Sequence, residues 1–246
     1  MNIVLLGHDD IASKIALPMI VAALPEHNYK LFLSGALSAG AISLPKSLQE
    51  LSRLDRHFYD SVPWDIGCEP EDLIAPNSAG GVAALQACDP DIFISVRYRR
   101  ILKSASIGVP RYGVLNLHSG LLPEYKGVMA TFWAMLNGEE RLGCTLHTIV
   151  DGTIDTGPII GLSDTTTQKD RSYLANMLEL YPVGCEMLVN AVNKIAAGES
   201  VDTSMQTADG HYYSMPQSGD LDQFAAKGLR LADNGDLKNF LKRHRC

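Results

Sequence analysis

The sequence predicts an α/β fold: a mostly parallel sheet with helices on both faces. Three observations predict it. Strand-like and helix-like stretches alternate from the N-terminus, as in βαβ units. Two mid-chain runs, DPDIFISV and YGVLNLH, are nearly continuously apolar and bounded by Pro or Gly, as expected of central strands covered on both sides. Helix-like segments with breaker residues separate the strands.

Taken in order, NIVLLG is a first strand, residues 11–24 are helical, and residues 29–34 form a second strand. Residues 79–88 are helical and lead into the strand of residues 89–96. The basic RYRRILKSA and Pro110 precede the strand of residues 112–118. VMATFWAMLNG has apolar residues at helical spacing and stops at Asn137-Gly138, and LGCTLHTIV then alternates like a strand. Residues 169–197 are helical with a break or kink at Pro182. Residues 1–199 are read as one domain, and residues 200–246 as a short extension packed on it.

Composition narrows the class. The 246 residues are 46% hydrophobic and 20% charged, as in ordinary globular chains. No apolar run approaches the roughly 20 residues of a spanning helix, and MNIVLLGHDD has no basic n-region. Five scattered cysteines show neither CxxC nor Cys/His metal spacing, so reduced thiols, a cytoplasmic setting and no metal are expected. A net charge of -7 disfavours a nucleic-acid surface and favours a small-molecule substrate. The loop GHDDIAS holds one glycine where a dinucleotide fingerprint needs three.

Asn116 and His118 are two apart at a strand end, so they share a face at the carboxyl edge where ligands bind in parallel sheets. Such a pair also arises where both side chains only satisfy backbone groups. Asp155, in the turn-rich DTGP, has the same alternative. His147, on the alternating strand, either faces the same crevice as a supporting residue or is structural.

The run NLHSGLLPEYKG and the stretch VDGTIDTGPII carry the argument further, because together they resemble the folate-dependent formyltransferase family. The family's Asn-x-His matches Asn116 and His118, its Leu-Leu-Pro-x-Tyr-x-Gly loop matches residues 121–127, and its Asp-containing turn matches residues 155–158. The resemblance is close over residues 89–161 and looser elsewhere. It departs where the family usually has serine before Leu-Leu-Pro, since here the order is Ser119-Gly120.

The resemblance implies a Rossmann-like catalytic domain that transfers a formyl group from 10-formyltetrahydrofolate to an amine, with Asn116, His118 and Asp155 at the reacting centre. It further implies a folate site whose walls include Tyr98, Ile101, Leu102, Leu121, Leu122, Pro123, Val150, Asp151 and Ile154. The reaction forms a tetrahedral intermediate whose oxygen gains charge, and an Asn amide or an imidazolium can stabilise it. Asp155 would orient or charge His118, or carry the amine proton through a water.

Two aspartates after the first strand would repel the phosphate that glycinamide ribonucleotide enzymes grip there. Only a short tail follows the catalytic core here, so the basic C-terminal domain that the resemblance attaches to methionyl-tRNA enzymes is not expected. Its length, tail and Leu-Leu-Pro-Glu-Tyr-Lys-Gly loop look most like the small formyltransferases of nucleotide-linked amino sugars. Hydrolysis of 10-formyltetrahydrofolate, another amine acceptor such as methionyl-tRNA, and an inactive folate-binding module are the alternatives. A homodimer is the assembly expected if the chain associates.

The arginines of residues 97–100 would meet a phosphate or the folate glutamate, or be solvated. The basic terminus, residues 242–245, reads as a solvated tail at a helix end.

Overall fold

The computed structural model describes residues 1–35, 44–207 and 209–244. In chain order the elements are β1 (Asn2–Gly7), α1 (Ile11–Ala23), β2 (Asn28–Leu33), α2 (Lys46–Ser61), β3 (Glu71–Asp72), α3 (Ala79–Gln86) and β4 (Ile92–Val96). Then come α4 (Ser104–Ile107), β5 (Val114–His118), β6 (Lys126–Gly127), α5 (Ala130–Asn137), β7 (Arg141–Thr148) and β8 (Ile159–Thr166). The chain closes with α6 (Tyr173–Leu178), α7 (Tyr181–Ala196), β9 (Tyr212–Tyr213), α8 (Ser218–Ala226) and α9 (Asn234–His244).

Seven strands form one sheet in the order β3-β2-β1-β4-β5-β7-β8. The first five run parallel, and β7 and β8 are antiparallel. This is the expected mostly parallel, Rossmann-like α/β fold. The order reverses direction between β1 and β4, the position where such sheets open a crevice at their carboxyl edge.

The apolar runs form strands because alternate side chains bury on opposite faces. Ile3, Leu5, Ile94, Leu115 and Leu117 join the larger core with α1, α5 and α7. Val4, Leu6, Phe93 and Val114 join a smaller core on the other face. Each such fully buried aliphatic side chain contributes roughly 1.5–3 kcal/mol of transfer free energy.

Among elements longer than four residues, α2, β8, α8 and α9 go beyond what the residues suggested. The helical stretch around Pro182 is two helices, with the break at Glu179–Leu180. Pro182 lies at the N-terminus of α7, where its missing N–H leaves no bond unmade. Helices α8 and α9 place Leu221, Phe224, Leu237 and Phe240 in the larger core, with Phe224 stacked on Phe132 of α5 at 4.5 Å.

The basic terminus is the last turn of α9, where Arg243 hydrogen-bonds Glu179 and His244 lies near it, so these two residues are not simply solvated. Arg245 and Cys246 lie outside the described residues. The four other cysteines are unbridged. Among the described residues, no helix is long and apolar enough to cross a membrane.

Candidate active site

Strand β5 delivers Asn116 and His118 to the sheet's carboxyl edge. Its antiparallel neighbour β7 sets His147 directly opposite Asn116, so the two side chains share a face. The fourth group, Asp155, comes from the loop between β7 and β8. Its backbone is left-handed at φ 54°, a conformation costly for a non-glycine residue. Two residues on, a Cβ at Gly157 would lie 1.8 Å from the Thr148 carbonyl oxygen, so only glycine lets the loop pass β7 this closely.

These residues converge. The Asp155 carboxylate faces His118 Nδ1 from Oδ2 and His147 Nε2 from Oδ1, each at 3.5 Å. Oδ2 also accepts the Gly127 amide at 2.8 Å. The ring of His118 is fixed from its other side, Nε2 donating to the Tyr125 carbonyl at 2.7 Å. His147 Nδ1 donates to the Thr148 carbonyl at 2.9 Å, which leaves Nε2 to accept from Asn116 Nδ2 at 2.9 Å. That contact orients the Asn116 amide and leaves its second N–H for a ligand.

Burial alone would raise the Asp155 pKa. The facing His118, the nearby His147 ring and the Gly127 amide outweigh it, and the carboxyl is lowered from 3.8 to about 2. Asp155 is therefore an anion at neutral pH, set between two imidazoles and available to accept a proton. Asn116 is beside it as a neutral donor.

The C-terminal segment braces this arrangement. Gln206 Nε2 donates to the carbonyl oxygens of Asp155 at 3.0 Å and Gly157 at 2.8 Å. β9 pairs with β6, the Val128 amide donating to the Tyr213 carbonyl at 2.8 Å. The Tyr213 ring stacks on both Tyr125 and Trp133.

The order Ser119-Gly120 has a steric cause. A Cβ at position 120 would come within 2.7 Å of His118 Nε2, 2.8 Å of the Tyr125 oxygen and 2.5 Å of Ala130 Cβ. A serine there would break the contact that holds the His118 ring, whereas Ser119 is accommodated as a buried side chain.

A cavity of about 520 Å³ opens onto Asn116, His118, His147 and Asp155. Of the residues expected around folate, Tyr98, Ile101, Leu102, Asp151 and Ile154 line it. Leu121, Leu122, Pro123 and Val150 are not on its wall. Leu121 packs at Gly143, Leu122 is buried with its amide on Thr145 Oγ1, and Val150 is exposed. The loop of residues 121–127 instead serves the site through the Tyr125 carbonyl and the Gly127 amide. The arginines have protein partners: Arg97 and the partly exposed Arg99 meet Asp10, and Arg100 Nε donates to the Ser34 carbonyl.

Residues 75–175 match the family model described as formyl transferase, a stretch that holds Asn116, His118, His147 and Asp155. This stretch belongs to the formyl transferase family. A methionyl-tRNA formyltransferase of Thermodesulfovibrio yellowstonii is 31% identical over 131 residues, 53% of this chain and 41% of that protein. One of Clostridium tetani is 31% identical over 159 residues, 64% of this chain and 49% of that protein. The chain thus spans less than half the length of these relatives. The solved structure of a Shewanella sugar N-formyltransferase shares the fold at TM-score 0.60 and 16% identity, covering 92% of this chain and 87% of that one.

Proposed function

We propose that this protein transfers a formyl group from 10-formyltetrahydrofolate to a primary amine of a small molecule. The observation that carries the reading is the convergence of Asn116, His118 and the anionic Asp155 on one cavity within the formyl transferase stretch. At about 520 Å³, that cavity falls within the range of small-molecule sites.

In this reading the amine nitrogen attacks the formyl carbon, and the carbonyl oxygen gains negative charge. The Asn116 amide and the His118 ring are the groups in place to stabilise that charge. Asp155 receives the amine proton, directly or through a water, and the carbon–nitrogen bond to the folate breaks as its nitrogen takes up a proton. Tyr98, Ile101, Leu102, Asp151 and Ile154 would enclose the pterin.

For the acceptor we favour a nucleotide-linked amino sugar. The chain's net charge of -7 is unfavourable for holding a phosphate backbone. A further solved structure of this fold, the formyltransferase PseJ of Anoxybacillus kamchatkensis, was obtained with a UDP-linked formamido sugar and tetrahydrofolate. It covers 91% of this chain and 89% of its own at TM-score 0.53 and 20% identity. The methionyl-tRNA relatives favour a second reading, in which the acceptor is charged initiator tRNA.

The experiment offers 10-formyltetrahydrofolate with nucleotide amino sugars or charged initiator tRNA near physiological salt, following tetrahydrofolate by absorbance and product by mass. Formylation of an amino sugar and not of tRNA is expected. Efficient formylation of the methionyl group overturns the acceptor. Failure of 5-formyltetrahydrofolate to protect the protein against thermal unfolding, at high ligand excess, overturns the folate site itself.

A further inference from the structure

The cavity that holds the converging residues is also lined by His8, Asp9, Asp10, Asp55, Arg97 and Arg99. Asp10 caps α1, its Oδ1 accepting the Ser13 amide at 2.9 Å. Its Oδ2 accepts from two guanidiniums, Arg97 Nε at 3.1 Å and Arg99 Nη2 at 3.3 Å. One buried carboxylate therefore faces two cations.

The neighbouring groups do not make up the difference. Asp9 is engaged by Arg56 at 2.7 Å. Burial, then the adjacent Asp10, raises the Asp55 carboxyl from 3.8 to about 7, and its Oδ1 already accepts the Ile11 amide. Burial, then Arg99, lowers the His8 imidazole to about 4, so it is neutral. Around Asp10 the guanidiniums outnumber the one carboxylate that engages them. The aspartates that looked repulsive to phosphate in the sequence are thus already paired.

The donors are also incompletely used. Among the described residues, Arg97 and Arg99 make no hydrogen bond or ion pair besides those to Asp10, although each guanidinium has five N–H groups. Arg97 moreover holds a left-handed backbone at φ 66°, a costly conformation for a non-glycine residue that persists only where the surroundings impose it. Paired guanidiniums suit bidentate binding of phosphate or carboxylate oxygens.

We propose that Arg97 and Arg99 form an anion-binding subsite for the acceptor, docking a phosphate or carboxylate of the amine substrate while its amino group reaches Asn116, His118 and Asp155. The inference rests on the formyl-transfer reading and narrows it to acceptors that carry an anionic oxygen group. Arg97 is four-fifths buried, which suits a compact anion held within the cavity better than the flexible glutamate of the folate.

Titration calorimetry with inorganic pyrophosphate, inorganic phosphate and malonate at constant ionic strength tests this and separates phosphate from carboxylate recognition. The variants are Arg99→Gln, Arg99→Lys and the surface control Arg141→Gln, each also titrated with 5-formyltetrahydrofolate. Expected is single-site binding of at least one anion by the wild type and the control, weakened at least about tenfold in Arg99→Gln and less in Arg99→Lys. Affinity for 5-formyltetrahydrofolate is expected to be unchanged throughout, which also reports that each variant is folded. Equal anion binding by wild type and Arg99→Gln, or none by the wild type, overturns the subsite. A tenfold loss of 5-formyltetrahydrofolate affinity in Arg99→Gln, with Arg99→Lys intermediate, assigns the arginines to the donor and overturns it too. Absent 5-formyltetrahydrofolate binding by the wild type is a different result, the failure of the underlying folate reading.

Discussion

Gln206 hydrogen-bonds the backbone oxygen of Asp155 at 3.0 Å across 51 positions of sequence, and the same side-chain nitrogen reaches the Gly157 oxygen at 2.8 Å. Asp155 sits in a left-handed backbone conformation that the loop would leave if released. The amide therefore fixes where the carboxylate stands relative to His118 and His147. Gln206→Ala is expected to lower kcat at least about tenfold, since displacement of about 1 Å at a reacting group costs that much or more. The KM for 10-formyltetrahydrofolate should change little. Gln206→Glu, whose carboxylate cannot donate to a carbonyl, should fail to restore the rate. A fall in kcat matched by an equal rise in KM would point to a merely structural loss.

The converging side chains carry the next expectation. His118→Ala and Asp155→Asn should each lower turnover at least about a hundredfold with little change in folate affinity, the usual worth of positioned acid–base groups. Asn116→Ala should cost on the order of a hundredfold as well, as the loss of an oxyanion donor does. Steady-state kinetics beside a binding titration with 5-formyltetrahydrofolate separates the two effects. Near-wild-type turnover in any one variant would remove that residue from the mechanism.

Much of the fold was legible because its central strands bury both faces and so advertise themselves as unbroken apolar runs, as in β4 and β5. The amphipathic α2 gave no comparable run, and only three of its residues are buried. β8 exposes half its length, so its sequence reads as a turn-rich continuation of the Asp155 loop. In the candidate site, Asn116, His118 and Asp155 were singled out by the linked motifs of the family resemblance, since spacing and turn composition alone left a structural reading open for each. What escaped were contacts made by backbone or from afar. The Tyr125 carbonyl and Gly127 amide belong to a loop whose apolar side chains drew attention instead, and nothing near Gln206 hints that it reaches Asp155. His147 was visible as a residue, but its register opposite Asn116 becomes plain only once β7 is seen to run antiparallel to β5.

Two carboxylates of the cavity are shifted in opposite directions, and each adds its own pH dependence to stability. Asp155 is lowered from 3.8 to about 2, so its contribution is present above 3.8 and lost as pH falls from 3.8 towards 2. A shift of that size corresponds to roughly 2 kcal/mol. Asp55 is raised from 3.8 to about 7, chiefly by burial, so its protonated form is favoured in the folded state. Stability from that group is present at low pH and lost as pH rises from 3.8 to about 7. Asp155→Asn is therefore expected to destabilise the protein at pH 7 by an amount that shrinks as pH falls below 4. Asp55→Asn, which keeps the oxygen that accepts the Ile11 amide, should be near neutral at pH 4 and stabilising at pH 8. Urea unfolding of the three proteins between pH 2 and pH 8 reads both slopes. A stability difference from wild type that stays constant across this range, for either variant, would refute the linkage assigned to that carboxylate.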